Sequence, residues 1–244
     1  MGKKRLDSLL VERQLTNSRE EAKRFILAGK AFVNGVAVSK AGSLINEESN
    51  IELKNKGLPF VSRGGLKLAG ALKDFNLTVK GLTALDVGAS TGGFTDCLLQ
   101  NGVKKVFAVD VGYGQLAWKI RKDPKVITIE KKNARYLTVS DLGETIDLAV
   151  VDLSFISVKL VLPAIISVLK REGRIIALIK PQFEVGKGEV GKGGIVRDTK
   201  KHIKVLNDIS RFAKDAGLNV LGDTQSPVAG AKGNIEYFLH FILN

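Results

Sequence analysis

The sequence predicts an α/β protein: a doubly wound domain with a mostly parallel seven-stranded sheet, preceded by a small α+β module. Three observations carry that prediction. From Arg63 onward, short apolar runs alternate with helix-like segments, the pattern of βα units around a parallel sheet. Leu85-Asp86-Val87-Gly88-Ala89-Ser90-Thr91-Gly92-Gly93-Phe94 joins a strand-like run to a helix through a loop with three glycines. The first 54 residues instead hold two short helical patterns and a hairpin signal.

Composition bounds the function classes. A chain of 244 residues with 44% hydrophobic and 26% charged residues is long enough for a sizeable core and divides into one or two domains. Its formal net charge of +13 points to a polyanionic partner, nucleic acid before an acidic membrane surface. No run is long enough for a signal peptide or a membrane span, so a membrane role is not expected. The single cysteine, Cys97, forbids an intramolecular disulfide, fits a cytoplasmic protein, and reads as a small buried filler. No metal site is expected.

In the first module, Leu6, Leu9 and Leu10 fall at helical spacing. A second helix is capped by Asn17 or Ser18, favoured by Glu20 and Glu21 in its first turn, and ended by Gly29. Its apolar side is Ala22, Phe25 and Ile26. Asn34-Gly35 between short apolar runs predicts a hairpin over Ala31 to Val38, and Ile51-Glu52-Leu53 adds a strand. The module is set at residues 1–54, a linker at 55–62, and the second domain at 63–244. Arg19 and Lys23 share a helix face, where like charges repel unless something anionic lies opposite; on spacing alone this face reads equally as an ordinary solvated one, with Glu20 and Arg24 paired beside it.

In the second domain the strand-like runs are Thr83–Val87, Val106–Asp110, Val126–Glu130, Leu148–Asp152 and Ile175–Lys180. Asn219–Thr224 and Glu236–Leu243 follow with no helix between them, and so read as an antiparallel pair at the end of the sheet. The glycine loop has two candidate ligands. A dinucleotide fold requires G-x-G-x-x-G, which Gly88, Gly92 and Gly93 do not supply because residue 90 is Ser. Asp86 suits the α-amino group of a methionine moiety, and Asp110 at the next strand end suits a ribose diol in either cofactor class.

Charged residues close later strands: Asp152 before Leu153-Ser154-Phe155, and Lys180 before Pro181-Gln182-Phe183-Glu184. Glu236 opens the final run. In open α/β sheets ligands bind outside the carboxyl ends of the strands, so Asp152 and Lys180 would emerge beside the cofactor, the alternative being that each is a solvated stop to an apolar strand. Trp118 is read as a core residue rather than a base-stacking one.

Arg5-Leu6-Asp7, Ser18–Ala22 and Ile26–Gly35 together resemble the S4 RNA-binding domain. That resemblance implies a helix pair resting on structured RNA through Arg5, Arg19, Lys23, Arg24 and Lys30, with contacts mostly to phosphates and shape. Leu85–Phe94, Val151–Phe155, Lys180–Glu184 and Gly233–Phe238 resemble the FtsJ-like (RrmJ-type) 2'-O-ribose methyltransferases. The two parts in this order are similar to the TlyA (hemolysin A) family. The resemblance implies a Rossmann-like, S-adenosylmethionine-dependent fold and a catalytic tetrad at Lys67, Asp152, Lys180 and Glu236. Lys180 is the candidate base or hydroxyl-orienting group, with Asp152 orienting it and Lys67 and Glu236 positioning the ribose. Asp86, Gly88, Ser90, Gly92, Gly93 and Phe94 would surround the methionine end of S-adenosylmethionine and Asp110 its ribose, while Asn133 would either lie near its adenine or serve only as a turn residue. Gly186-Lys187-Gly188 through Gly193-Gly194 reads either as a basic loop closing over RNA or as an ordinary surface loop.

The expected function is 2'-O-methylation of a ribosomal RNA ribose, of cytidine by the resemblance, with ribosomal subunits as partner. Two rivals belong to other classes: a membrane-active hemolysin, and a non-catalytic RNA-binding assembly factor. The missing membrane segment argues against the first, and the complete tetrad against the second.

Overall fold

The computed structural model describes residues 2–54, 59–186 and 188–244. The chain forms two compact units, Met1–Pro59 and Phe60–Asn244. Residues 55–58 of the expected linker lie outside the described residues. Pro59 falls in the first unit and Phe60–Ser62 in the second: Phe60 packs against Gly65, and the Val61 N–H donates to Asp96 at 2.8 Å.

The first unit begins with β1 (Lys3–Arg5), followed by α1 (Leu6–Glu12) and α2 (Arg19–Leu27). Strands β2 (Ala31–Val33), β3 (Val36–Ala37), β4 (Leu44–Asn46) and β5 (Ile51–Leu53) complete it. Ser18 caps α2, its hydroxyl accepting from the Glu21 N–H, and Gly29 leaves the helix at φ 66°. Asn34 and Gly35 both have positive φ and close the β2–β3 hairpin, with Val33 opposite Val36. Leu6, Leu9, Leu10, Ala22, Ile26, Ala31 and Ile51 form the core. The β1–β4 antiparallel pair is an addition to the expected elements. Three-residue strands carry too few alternations to stand out in sequence.

In the second unit, α3 (Arg63–Asp74) leads into β6 (Thr83–Val87), α4 (Gly93–Gln100), β7 (Lys105–Val109), α5 (Trp118–Arg121) and β8 (Val126–Ile129). After α6 (Val139–Leu142) come β9 (Ile146–Val151), α7 (Leu162–Val168), β10 (Leu169–Ile179) and α8 (Pro181–Glu184). The chain closes with α9 (Thr199–Asp215), β11 (Leu218–Gln225) and β12 (Tyr237–Leu243). The sheet order is β11-β12-β10-β9-β6-β7-β8, and β12 alone runs antiparallel to its neighbours. The expected antiparallel pair is present, with β12 inserted between β10 and β11.

Alternation along the strands builds two cores. Leu85, Val87, Phe107, Val109, Ala149, Val151 and Ile175 face α7 and α9. Ala84, Val106, Leu148, Val150, Ile176 and Leu178 face α3 and α4. Burial on both faces explains the nearly continuous apolar strands. It also forces polar groups to the strand ends, where the loops converge.

Candidate active site

Two cavities open at the carboxyl ends of β6, β7 and β9, and share Gly88, Ser90 and Asp152. One, of about 250 Å³, is lined by Ser62, Arg63, Gly64, Lys67, Thr91, Gly93, Phe94 and Gly230. The other, of about 450 Å³, is lined by Asp110, Val111, Gln115, Asn133, Leu153, Ser154 and Phe155.

The glycine loop forms the ridge between them. A Cβ at Gly88 would lie 2.3 Å from the Asp152 carbonyl oxygen, and its φ of +87° is one that L side chains rarely adopt. Only glycine lets the ends of β6 and β9 approach this closely. Gly92, also left-handed, starts α4. The Asp110 carboxylate accepts the Ser90 N–H at 2.8 Å on one oxygen and the Gly112 N–H at 2.7 Å on the other. It therefore fixes both walls of the larger cavity.

Asp86 stands at the end of β6, below the glycine loop. It is fully buried beneath the loop and lines neither cavity. One of its oxygens accepts the Thr95 hydroxyl at 2.6 Å, and the other has no hydrogen-bond partner among the described residues. Burial pushes its carboxyl up to about 7, against the pull of Thr95. Phe94 is buried and packs near Phe238, with ring centroids 6.1 Å apart. Asn133 does two things. It lines the larger cavity, and its side-chain oxygen accepts the Arg135 N–H at 3.1 Å to cap the short helix Ala134–Tyr136.

The four residues of the expected tetrad form two ion pairs. Lys180 Nζ lies 2.5 Å from Asp152 Oδ1, and also donates to Ser154 Oγ at 3.1 Å. Lys67 Nζ lies 2.6 Å from Glu236 Oε2. Lys180 and Glu236 are buried at 8% and 2% exposure, while Lys67 and Asp152 reach the smaller cavity. A Cβ at Gly230 would collide with the Glu236 carboxylate, so the Ser226–Asn234 connection is moulded around that residue.

The Lys180–Glu184 motif has a further structural use. Glu184 accepts the Ser157 hydroxyl at 2.6 Å and the Val158 N–H at 2.8 Å. Burial raises its carboxyl above the usual range. It thereby ties the turn after β10 to the Asp152–Ser157 loop. Ser154 had no sequence-based assignment, and its place just past Asp152 was the available signal. Lys187 of the basic loop lies outside the described residues. Nearby, Gly191 bridges Ile195, and Asn234 accepts the Val196 N–H.

In the first unit Arg5 and Arg19 converge on one carboxylate. Arg5 binds Asp7 through two hydrogen bonds of 3.0 and 2.9 Å, and Arg19 adds a third at 3.2 Å. Arg5, before Arg19, holds the Asp7 carboxyl down at about 2. Both guanidiniums stay about half exposed. Lys23, Arg24 and Lys30 are exposed.

Trp118 departs from the expected core position. It is 67% exposed at the start of α5, with Lys122 Nζ 4.5 Å from its ring centroid. In this four-residue helix Ile120 takes the buried position.

Comparison with known proteins matches this geometry to a family. The FtsJ-like methyltransferase model matches residues 60–242, and the S4 domain model residues 4–51. The chain is 48% identical over 239 residues to the candidate rRNA methyltransferase YqxC of Bacillus subtilis, covering 98% of this chain and 85% of that one. It is 45% identical over 236 residues to the 16S/23S rRNA (cytidine-2'-O)-methyltransferase TlyA of Mycobacterium tuberculosis, covering 96% and 88%. A solved structure of a candidate hemolysin from Streptococcus thermophilus superposes with a TM-score of 0.77 at 45% identity, covering 100% of this chain and 90% of that one. With the paired lysines and carboxylates at the strand ends and the S4 domain in front, the chain belongs to the FtsJ-like methyltransferases of the TlyA type.

Proposed function

We propose that the protein transfers a methyl group from S-adenosylmethionine to the 2'-hydroxyl of a cytidine ribose in ribosomal RNA. The observation that carries this reading is the pair of cavities sharing Gly88, Ser90 and Asp152. One side offers ribose and adenine contacts, and the other opens on Lys67 and Asp152.

The residues present fit that cofactor. Gly88 brings backbone close to the methionine end, Gly92 turns the chain into α4 against Leu116 and Ile120, and Gly93, Phe94 and Ser90 complete the wall. Each Asp110 oxygen keeps a free lone pair for a ribose hydroxyl beyond its backbone bond. Asn133 stands where an adenine edge would lie. Asp86 acts from below, holding α4 through Thr95 and placing an acid under the loop. The cofactor's sulfonium makes the methyl carbon electrophilic, which leaves the protein alignment and one proton to manage.

Lys180 orients the 2'-hydroxyl: as a neutral amine it takes the proton, and as an ammonium it donates to that oxygen while the proton passes to water as the methyl is transferred. Asp152 and Ser154 hold the Lys180 ammonium in place. The Lys67–Glu236 pair positions the ribose from the other side. Arg5, Arg19, Lys23, Arg24 and Lys30 hold structured RNA by its phosphates, and the buried Asp7 presets the first two. Two full ion pairs favour catalysis over a purely RNA-binding role. No helix among the described residues is long and apolar enough to cross a membrane.

The test is incubation of the protein with ribosomal subunits and a tritiated methyl donor, followed by mass mapping of ribose methylation. Label at a cytidine 2'-oxygen is expected. Bound RNA that acquires no methyl group would overturn the reading.

A further inference from the structure

The only tryptophan of the chain and two of its three tyrosines stand in solvent in the segments that precede and follow β8, the edge strand of the second unit. Trp118, Tyr113 and Tyr136 are exposed by 67%, 72% and 67%. The remaining tyrosine, Tyr237, is half-buried in β12. Large rings are ordinarily placed where their area is buried, so a group of them left in water is informative.

Each ring carries a cation. Lys122 Nζ lies 4.5 Å from the Trp118 centroid, Lys131 Nζ 4.8 Å from that of Tyr113, and Arg135 Cζ 5.6 Å from that of Tyr136. The platform is braced. Glu130 at the end of β8 accepts the Gly114 N–H at 2.7 Å and the Arg121 guanidinium at 2.5 Å. The Lys131 N–H donates to Gly112 at 3.1 Å. One carboxylate thus joins the Tyr113 loop, α5 and the strand end. The same loop reaches the larger cavity through Val111 and Gln115.

Exposed aromatic faces interleaved with cations are how proteins hold unpaired nucleic acid, stacking bases while the cations meet phosphates. We propose that the Tyr113–Trp118 edge is a second RNA contact, on which unpaired bases flanking the methylated nucleotide stack. This rests on the reading that the substrate is RNA, and adds a single-stranded component to the structured RNA that the S4 domain takes.

Because Trp118 is the sole tryptophan, its emission reports the contact directly. Titration of the full chain with a short oligouridylate should quench it, equally in the Lys180→Ala variant. Tyr113→Ala should weaken that binding about tenfold without moving the melting temperature, and raise KM for ribosomal subunits more than it lowers kcat. Unchanged emission at concentrations that shift the protein's mobility on ribosomal RNA would overturn the proposal. So would equal quenching by a duplex of the same length, or unaltered affinity in Trp118→Ala and Tyr113→Ala. Quenching without methyl transfer to any RNA would leave the surface standing and sink the enzymatic reading. Methyl transfer without quenching would do the reverse.

Discussion

Lys67 and Glu236, 169 positions apart in the chain, meet at 2.6 Å with Glu236 buried at 2% exposure. A buried ion pair adds little net stability, but removing one partner strands the other charge in a poorly solvated site. Glu236→Ala should therefore cost about 3 kcal/mol. The double variant Lys67→Met/Glu236→Ala should recover part of that loss. A double-mutant cycle by chemical denaturation checks it, and additive effects would mean that the pair is not coupled.

Lys180 Nζ is held by Asp152 and Ser154 rather than by the Lys67–Glu236 pair. Lys180→Ala should lower methyl transfer by at least about 100-fold. Calorimetry should show cofactor binding nearly intact, because the Lys180 side chain is engaged by Asp152 and Ser154 and not by the glycine loop. Full activity in the variant would remove Lys180 from the mechanism.

Gly88 combines a positive φ with a close approach to Asp152. Gly88→Ala should destabilise the fold by about 1–3 kcal/mol and weaken cofactor affinity more than a surface substitution of equal stability cost. Thermal melting with and without S-adenosylmethionine separates the two effects.

The Asp86 carboxyl, pushed up to about 7 by burial, makes the fold sensitive to pH in a defined direction. The folded state keeps the proton where the unfolded chain, with a carboxyl near about 4, has lost it. Between those values the folded state binds more protons, so this group's contribution to stability falls as pH rises from about 4 to about 7. Above that window the cost is constant. Subtracting the denaturation profile of Asp86→Asn from that of the wild type should reveal this slope. A flat difference would show that Asp86 is ionised throughout.

Much of the fold was legible because its signals are local. Thr83–Val87 alternates into two cores, and its range in sequence is its range in the structure. Asn34-Gly35 closes a hairpin because both residues tolerate positive φ. Ser18 and Gly29 bound α2 for reasons that a few residues carry. The glycine loop, Asp110 and Asn133 stand at cavity walls because a parallel sheet brings its strand ends together.

Other features depend on what the chain meets in space. Nothing in Val106–Asp110 or Asn219–Thr224 states that β12 will insert between β10 and β11. Asp86 and Asp110 both sit at or near strand ends, yet one sinks beneath the loop and the other faces the cavity. Trp118 is left in solvent because Ile120 fills the core position of its short helix. The sequence by itself determined the elements, the glycine turn and the inventory of acids and bases, since periodicity and turn chemistry act over a few residues. Tertiary structure alone decided that Lys180 pairs with Asp152 and Lys67 with Glu236, because the choice of a charged partner is set by which side chains share a buried, poorly solvated space.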